Sequence, residues 1–574
     1  MEYDLWRKKC RLTMSKLPFI QILFVGILLV FGLTAKAQFI PYHTDHVDVY
    51  NFLSELRILG IVEYNVAVKP LSRKEIATML WAADSSTALN RVQRKELDFW
   101  KQEFGKDIGS GKVHREGKWA KRRVFDDYGL KKRLDLFYFA NDLFQVTVNP
   151  IVMGVGMINT KSDLRRYQNW GGEIYGRIGK GFGFYFSFRD YFELPDWNGV
   201  NSLSPELGGV SRRSSLNKNA REYYAIRGGI TYAWKWGQVG ILKDHLQLGS
   251  APTDQIILSK RAPSFPRFHL QLKPIKWAEL TYTFGWLNSD IVDSTRSYLT
   301  GNGVYREVYH SKFVVANLIT VKPWKYLSFS LGSSVIISDN NINAGHFIPI
   351  MFYNALDQSF NGQVNNAGQN SQIYADINFD LFGWGRIYGS ILIDEIRLST
   401  MFDSKNQRNS LGYQVGLSSR PFTAWNLKVY GNYTRIRPGV YRHYIPTTTY
   451  ANANYGLGYF LGENSDGWTV GLQLRPLPKL RVIAEYKRWR KGPLHDFGVP
   501  ANPVTLTGAQ FMTSTVSSTD RITLRIRYQI INDVTVQLMV NHLSGYSDGN
   551  LVFPGVSVAN VSDTWFGFGL NVGY

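Results

Sequence analysis

The sequence predicts an all-β fold: a transmembrane antiparallel β-barrel of about 18 strands, preceded by a small N-terminal periplasmic α-helical bundle. Three observations carry that expectation. An apolar period of two residues begins near Phe144 and runs to the C-terminus, the connections alternate between short and long, and the last ten residues form a distinctive strand. In that strand, Phe566, Phe568, Leu570, Val572 and Tyr574 take every second position, with Gly567, Gly569, Asn571 and Gly573 between them. One apolar and one small or polar face is a strand pattern. An apolar face closed by a terminal aromatic resembles the recognition signal of outer-membrane barrels.

At the N-terminus, Arg7, Lys8, Lys9, Arg11 and Lys16 precede an apolar run from Leu17 to Leu33, followed by Ala35-Lys36-Ala37. This pattern predicts a secretory signal peptide over residues 1–37, cut after Ala37. Cys10, the only cysteine, lies before that cut, so the expected mature chain has no disulfide, thiolate metal site or cysteine nucleophile. After Leu33 no apolar run reaches the roughly 18–20 residues of a spanning helix. Barrel strands are short and half polar, so 33 Tyr, 34 Phe and 52 Gly without a long apolar run suit a barrel. The net charge of +21 falls to about +17 once the signal region, six Lys/Arg against Glu2 and Asp4, is set aside. Such a surplus favours anionic partners, and export excludes nucleic acid, leaving acidic polysaccharide and lipid phosphate.

Residues 38–133 read as a helical head with a basic linker. Val49, Phe52, Leu53, Leu56 and Leu59 recur at helical spacing, with Gly60 placed to stop the helix. Ser72 and Glu75 predict a capping box on a second helix, whose buried face continues through Ile76, Met79, Leu80 and Ala83. Leu89, Val92, Leu97, Trp100 and Phe104 predict a third. The basic run from Lys112 to Arg133 is a solvated linker, with phosphate at the inner membrane face as a second reading.

Residues 134–574 read as the barrel. Examples of the two-residue period are Leu280, Tyr282, Phe284 and Trp286, or Val534, Val536, Leu538 and Val540. Short turns recur, four of them with a basic residue and proline: Lys273-Pro274, Lys322-Pro323, Arg420-Pro421 and Arg475-Pro476. Proline fits there because a turn needs no ladder donor. Between them lie long polar connections, such as Ser338 to Ser371, Thr434 to Gly467 and Arg488 to Asp520. Short turns on one side and long loops on the other place both termini in the periplasm and the head beneath the barrel. Inward faces read polar and charged, with Tyr374, Asp376, Asn378 and Asp380 on one strand and Arg481, Glu485 and Lys487 on another. Salt bridging across the interior is the plain reading of these groups, and selective binding of an acidic chain the sharper one.

The outer loops are rich in aromatic and basic residues. The candidate polysaccharide-binding residues are Arg435, Arg437, Tyr441, Arg442, His443, Tyr444, Trp197, Arg488 and Trp489. Sugar C–H faces stack on aromatic rings, and acidic sugars need Arg or Lys as partners. Membrane-boundary girdles use the same residue types. No catalytic constellation is expected: Asp394 and Glu395 are strand neighbours pointing to opposite faces, His443 lacks a partner at metal spacing, and no Gly-x-Ser-x-Gly occurs. The turn Glu463 to Gly467 reads as a polar turn, with calcium as the alternative. No enzyme activity, cofactor or metal is expected.

In order along the chain, Pro70 to Ala77, Asp394-Glu395, Tyr433 to Pro438 and Leu461 to Asp466 resemble the Wzi family of outer-membrane capsule-assembly proteins, in its Bacteroidetes version. The resemblance implies a monomeric barrel over a helical bundle, acting as a lectin-like anchor for capsular or exopolysaccharide. The barrel reading and the basic charge imply further partners: outer-membrane lipid, including lipopolysaccharide, and the barrel-assembly machinery during insertion. Where a Trp-Trp-Gly-Pro-Gly-like segment is expected in the family, this chain has His245 to Pro252. The alternative function is a diffusion porin for anionic solutes; an open or a plugged lumen separates the two.

Overall fold

The computed structural model describes residues 39–108, 135–194, 214–217, 220–339, 342–356, 369–422, 426–499, 502–503, 505–531, 534–547 and 561–573. The expected signal peptide with Cys10, the basic linker run, Trp197 and Tyr574 lie outside these residues.

Eighteen antiparallel strands close into a barrel. In chain order they are β1 Phe144–Asn159, β2 Leu164–Ile178, β3 Phe182–Leu194, β4 Ala220–Trp234, β5 Gly237–Asp244, β6 Phe265–Ile275, β7 Ala278–Val292, β8 Tyr309–Trp324 and β9 Leu327–Ser338. The ring continues with β10 Asn370–Asp380, β11 Gly385–Ile396, β12 Asn409–Phe422, β13 Leu427–Ile436, β14 Ser465–Leu477, β15 Leu480–Lys491, β16 Ser517–Ile531, β17 Val534–Ser547 and β18 Val561–Val572. Phe568 of β18 stands opposite Gly156 of β1, which closes the ring. No helix among the described residues is long and apolar enough to cross a membrane.

The two-residue period sorts side chains as expected. On β10, Tyr374, Asp376, Asn378 and Asp380 are buried inside while Ile377 is exposed outside. At the short-turn end, Trp236, Trp277, Trp324 and Trp384 are exposed on the outer surface. About nine residues higher stand Trp170, Trp286 and Trp468. At ~3.3 Å per residue and ~40° of tilt, that separation is about 23 Å, close to the ~25 Å apolar band of membrane barrels. Two aromatic belts bounding such a band are the exterior a bilayer requires.

The head contains α1 Val47–Ile58, α2 Arg73–Ala83 and α3 Arg91–Phe104. Val49, Phe52, Leu53, Leu56, Ile76, Leu80, Leu97, Trp100 and Phe104 form its core. Gly60, at φ 70°, ends α1 as expected. Its N–H donates to Arg57 O at 2.8 Å and that of Ile61 to Leu56 O at 2.9 Å, the paired bonds of a Schellman motif. The expected Ser72–Glu75 box is half kept. Ser72 Oγ accepts from Glu75 N–H at 3.0 Å, but the Glu75 carboxylate takes Lys273 of β6 at 2.7 Å instead of reaching back. A full box forms on α3 between Asn90 and Gln93, which the sequence reading did not single out.

The long connections do not behave alike. Residues 245–264 turn into the barrel, and residues 437–464 fold across the long-loop end and join them. Residues 342–356, expected to be part of a polar outer loop, instead lie on the outside of the barrel. There Tyr353 and Leu356 cover outward-facing Tyr282, Phe284, Val315 and Val335.

Candidate functional site

Rather than sitting beneath the barrel, the head enters its short-turn mouth, held by a collar of inward-facing basic residues. Arg475 reaches Glu55 at 2.6 Å and Glu96 at 2.5 Å; Arg481 reaches Glu96 at 2.6 Å and Asp48 at 3.3 Å. Asp380 on β10 takes Arg57 of α1 at 2.8 Å and Arg386 of β11 at 2.7 Å. Two members of the collar, Lys273 and Arg475, are the basic residues of basic-Pro turns, so that repeated motif anchors the head. Burial pushes the Asp48 and Glu55 carboxyls up, but Arg481 and Arg527 around Asp48, and Arg475 and Arg420 around Glu55, outweigh it and hold both below the ordinary range. For Glu96 burial wins over Arg475 and Arg481, and its carboxyl sits above the ordinary value. Removing one partner from such a buried set strands the others.

Above the collar an apolar core occupies the interior beside β6 to β15. Val68-Lys69, from the chain between α1 and α2, pairs antiparallel with Gln247-Leu248 of the inward connection. Gly249, at φ 118°, adopts a backbone that favours glycine and donates its N–H to Ala67 O at 2.8 Å. Ser250 follows: its N–H donates to Asp376 Oδ2 at 2.9 Å and its hydroxyl bonds the other carboxylate oxygen, while Ser390 Oγ donates to Oδ2 at 2.7 Å. Leu246, Leu248, Ile256, Ile257 and Leu258 then pack against Ala67 and Val68 of the head, Val314, Leu318, Ile336 and Leu392 of the barrel, and Tyr441, Tyr450 and Leu457 from the connection above. Tyr441 Oη donates to Ile256 O at 2.6 Å and Tyr450 Oη to Ile257 O at 2.9 Å, tying the two connections together.

The turn at Glu463 knots the long-loop end. The buried Glu463 carboxylate accepts from Gly439 N–H at 2.5 Å, Arg442 Nη1 at 2.7 Å and His495 N–H at 3.2 Å. Asn464 accepts from Met512 N–H at 2.9 Å and donates to Pro493 O at 2.7 Å. Asp466 holds Arg490 through two bonds of 2.9 and 2.5 Å. These partners make the turn a structural knot that joins connections 437–464 and 492–516.

The candidate binding residues are dispersed by strand alternation. Tyr441 and Trp489 lie in the interior core. Arg435 and Arg488 face outward: Arg435 lies over the Phe511 ring at 3.6 Å, and Arg488 stands opposite Trp468 in the upper belt. Arg442 is tied to Glu463 and also donates to His495 O at 2.7 Å. His443 Nδ1 accepts from Ile445 N–H at 3.3 Å and lies 2.8 Å from Thr448 Oγ1. Burial lowers its imidazole to about 4, so it is neutral near pH 7. Tyr444 is exposed, its ring 4.2 Å from that of His443 and tilted by 38°, and Arg437 is half-buried. Sequence reasoning missed a hairpin in connection 293–308, where Tyr298-Leu299 pairs with Tyr305-Arg306. These residues are exposed, with Arg306 over the Tyr298 ring at 5.9 Å. The Tyr/Arg pairs across a short connection were its signal.

No family model matches the sequence, and no curated protein matches it. Among solved structures, the chain is similar to Wzi of Escherichia coli, described as an outer-membrane protein involved in group 1 capsule assembly and a carbohydrate-binding β-barrel. That match has 13% identity and a TM-score of 0.53, covering 94% of this chain and 100% of that one. OprD of Pseudomonas aeruginosa, an outer-membrane protein, matches at 11% identity and TM-score 0.39, covering 74% of this chain and 92% of its own. OpdQ of the same organism matches at 9% identity and TM-score 0.40, covering 75% and 98%. The likeness is one of fold, and with Wzi it spans nearly the whole of both chains.

Proposed function

We propose that this chain is an outer-membrane surface protein of the Wzi kind, which binds and anchors an acidic capsular or exopolysaccharide and supports capsule assembly without catalysis. The observation that carries the reading is the apolar core packed inside the barrel against strands β6 to β15. Head, inward connection and upper connection pack one apolar core where a porin needs an open eyelet. The carbohydrate-binding description of the Escherichia coli neighbour supports the same reading. On it, the short-turn end faces the periplasm, the long-loop end faces the exterior, and residues 1–37 are removed on export.

Glycan contact then belongs to the exposed groups of the long-loop end. Tyr298, Tyr305 and Tyr444 offer rings for sugar faces, while Arg306 and the half-buried Arg437 offer charge. The upper connection touches the end of β7, from which the Tyr298–Arg306 hairpin springs: Asn454 Nδ2 donates to Asp290 Oδ2 at 2.9 Å and Asn288 N–H to Asn452 Oδ1 at 2.8 Å. Arg435 and Arg488, facing outward at the upper belt, suit lipid phosphate such as that of lipopolysaccharide.

The test is surface glycan retention by cells carrying Tyr298→Ala, Arg306→Ala, Arg437→Ala and Tyr444→Ala together, with barrel insertion verified by heat-modifiable migration. The expected outcome is glycan shed into the medium, with retention by wild type weakening as salt screens the charges. Unchanged retention together with altered uptake of anionic solutes would favour the porin instead.

A further inference from the structure

Where the head meets the inward connection, three potential metal ligands converge: His43 from the head, Asp244 from the end of β5, and His245, the first residue of the connection. One ligand atom from each lies within 4.8 Å of the other two. His43 Nε2 is 3.1 Å from His245 Nδ1 and 3.8 Å from Asp244 Oδ1. Zinc–nitrogen bonds of ~2.0–2.1 Å at tetrahedral angles separate neighbouring ligands by about 3.3 Å. The two separations at His43 bracket that edge, and the third pair lies within 4.8 Å.

The surroundings match a metal site in three further respects. His43 Nδ1 accepts from the Asp45 N–H at 3.2 Å and lies 3.2 Å from Asp45 Oδ2; a cation on Nε2 would put the ring proton on Nδ1 and turn it from that N–H to the carboxylate, the partner that orients metal-binding histidines. Tyr185 Oη donates to Asp244 Oδ2 at 2.9 Å and the His245 N–H to Oδ1 at 2.8 Å, which fix the carboxylate with Oδ1 on the His43 side. Beside them, a cavity of about 40 Å³ lined by His43, Asp244, Tyr185, Arg73 and Arg227 has room for a water as fourth ligand. Lys260, 2.7 Å from Asp45, and the Arg267 guanidinium, which donates to the Asp244 and His245 carbonyls, lie outside the ligand set.

We propose that His43, Asp244 and His245 bind a divalent transition-metal cation of the zinc class, which staples the head to the connection that fills the barrel. Two imidazoles and one carboxylate suit this class over calcium or magnesium, which take oxygen ligands. Each side of the seam supplies ligands, so binding is linked to the docked state and raises its stability by mass action.

The test uses the full chain purified in detergent and stripped with a chelator, titrated with Zn2+ by calorimetry. One saturable ion per chain is expected, with a raised thermal midpoint. His43→Gln and His245→Gln each lower the affinity at least ~10-fold, and Asp45→Asn lowers it ~10- to 100-fold as an orienting residue. His443→Gln leaves it unchanged, and heat-modifiable migration confirms that each variant barrel is folded. Cobalt supplies a readout that needs no variant: bound Co2+ should give the visible absorption of a four-coordinate site in the wild type. Absence of that band, of saturable zinc binding, or of any difference between the wild type and the folded His43→Gln/His245→Gln double variant overturns the proposal.

Discussion

Two connections leave the long-loop end of this barrel and go opposite ways. Residues 245–264 enter the lumen; residues 342–356 lie against the outer wall. The inward one alternates apolar residues with Gln247, Ser250, Asp254 and Gln255, and its polar groups meet buried partners such as Asp376, Gln414 and the Ala251 carbonyl. The outward one, Ile342 to Leu356, carries no Asp, Glu, Lys or Arg and exposes Phe347, Ile350 and Phe352, Ile350 to 68%. At the depth of the apolar band, backbone carbonyls need partners from the protein. The wall supplies them from its outer face: Tyr282 Oη donates to His346 O at 2.9 Å, Asn317 Nδ2 to Met351 O at 2.7 Å and Ser333 Oγ to the same carbonyl at 3.3 Å. A connection goes where its polar groups can be satisfied, and the strands beneath carry matching residues on the corresponding face.

That comparison can be broken from either side. The largest effect is expected from Glu96→Ala, which takes the shared carboxylate from Arg475 and Arg481. About 3 kcal/mol of docking stability should be lost, and through the Val68–Leu248 pairing the inward connection loosens while the outward one stays. Protease cleavage mapped by mass spectrometry distinguishes the two. Asn317→Ala should do the reverse, loosening residues 342–356 at a cost of ~1–2 kcal/mol, since the Met351 carbonyl keeps only the longer bond from Ser333 Oγ; hydrogen exchange should rise there and not at residues 245–264. Ser250→Ala is the mildest, about 1 kcal/mol, since Asp376 keeps the Ser250 N–H and Ser390. A small, local rise in exchange around Gly249 is its expected signature.

The barrel was legible because strand period and turn spacing are local signals repeated around the ring. The inward and outward faces of β10 and β15 fell as their alternation dictates. The same rule, applied to the candidate binding residues, separates outward Arg435 from inward Thr434, and outward Arg488 from inward Trp489. Grouping them by sequence proximity hid this. Asn317 was a readable anomaly, an amide between Val315 and Ile319 on the outer face of β8, although its partner at Met351 is 34 residues away. The departure at His245 to Pro252 marked the inward connection without revealing its direction. What sends it inward is a set of long-range partners, Val68, Asp376 and Tyr441, that no local pattern encodes. The basic-Pro turns were visible as turns; their grip on the head depends on acidic residues hundreds of positions earlier.

The measurement closest to the central claim is ion conductance of the purified full chain in planar bilayers. With head and inward connection packed in the lumen, inserted wild-type protein should give no sustained current, and replacing residues 246–258 by a short Gly-Ser linker should open one. A steady anion-selective current through the wild-type barrel would contradict the account.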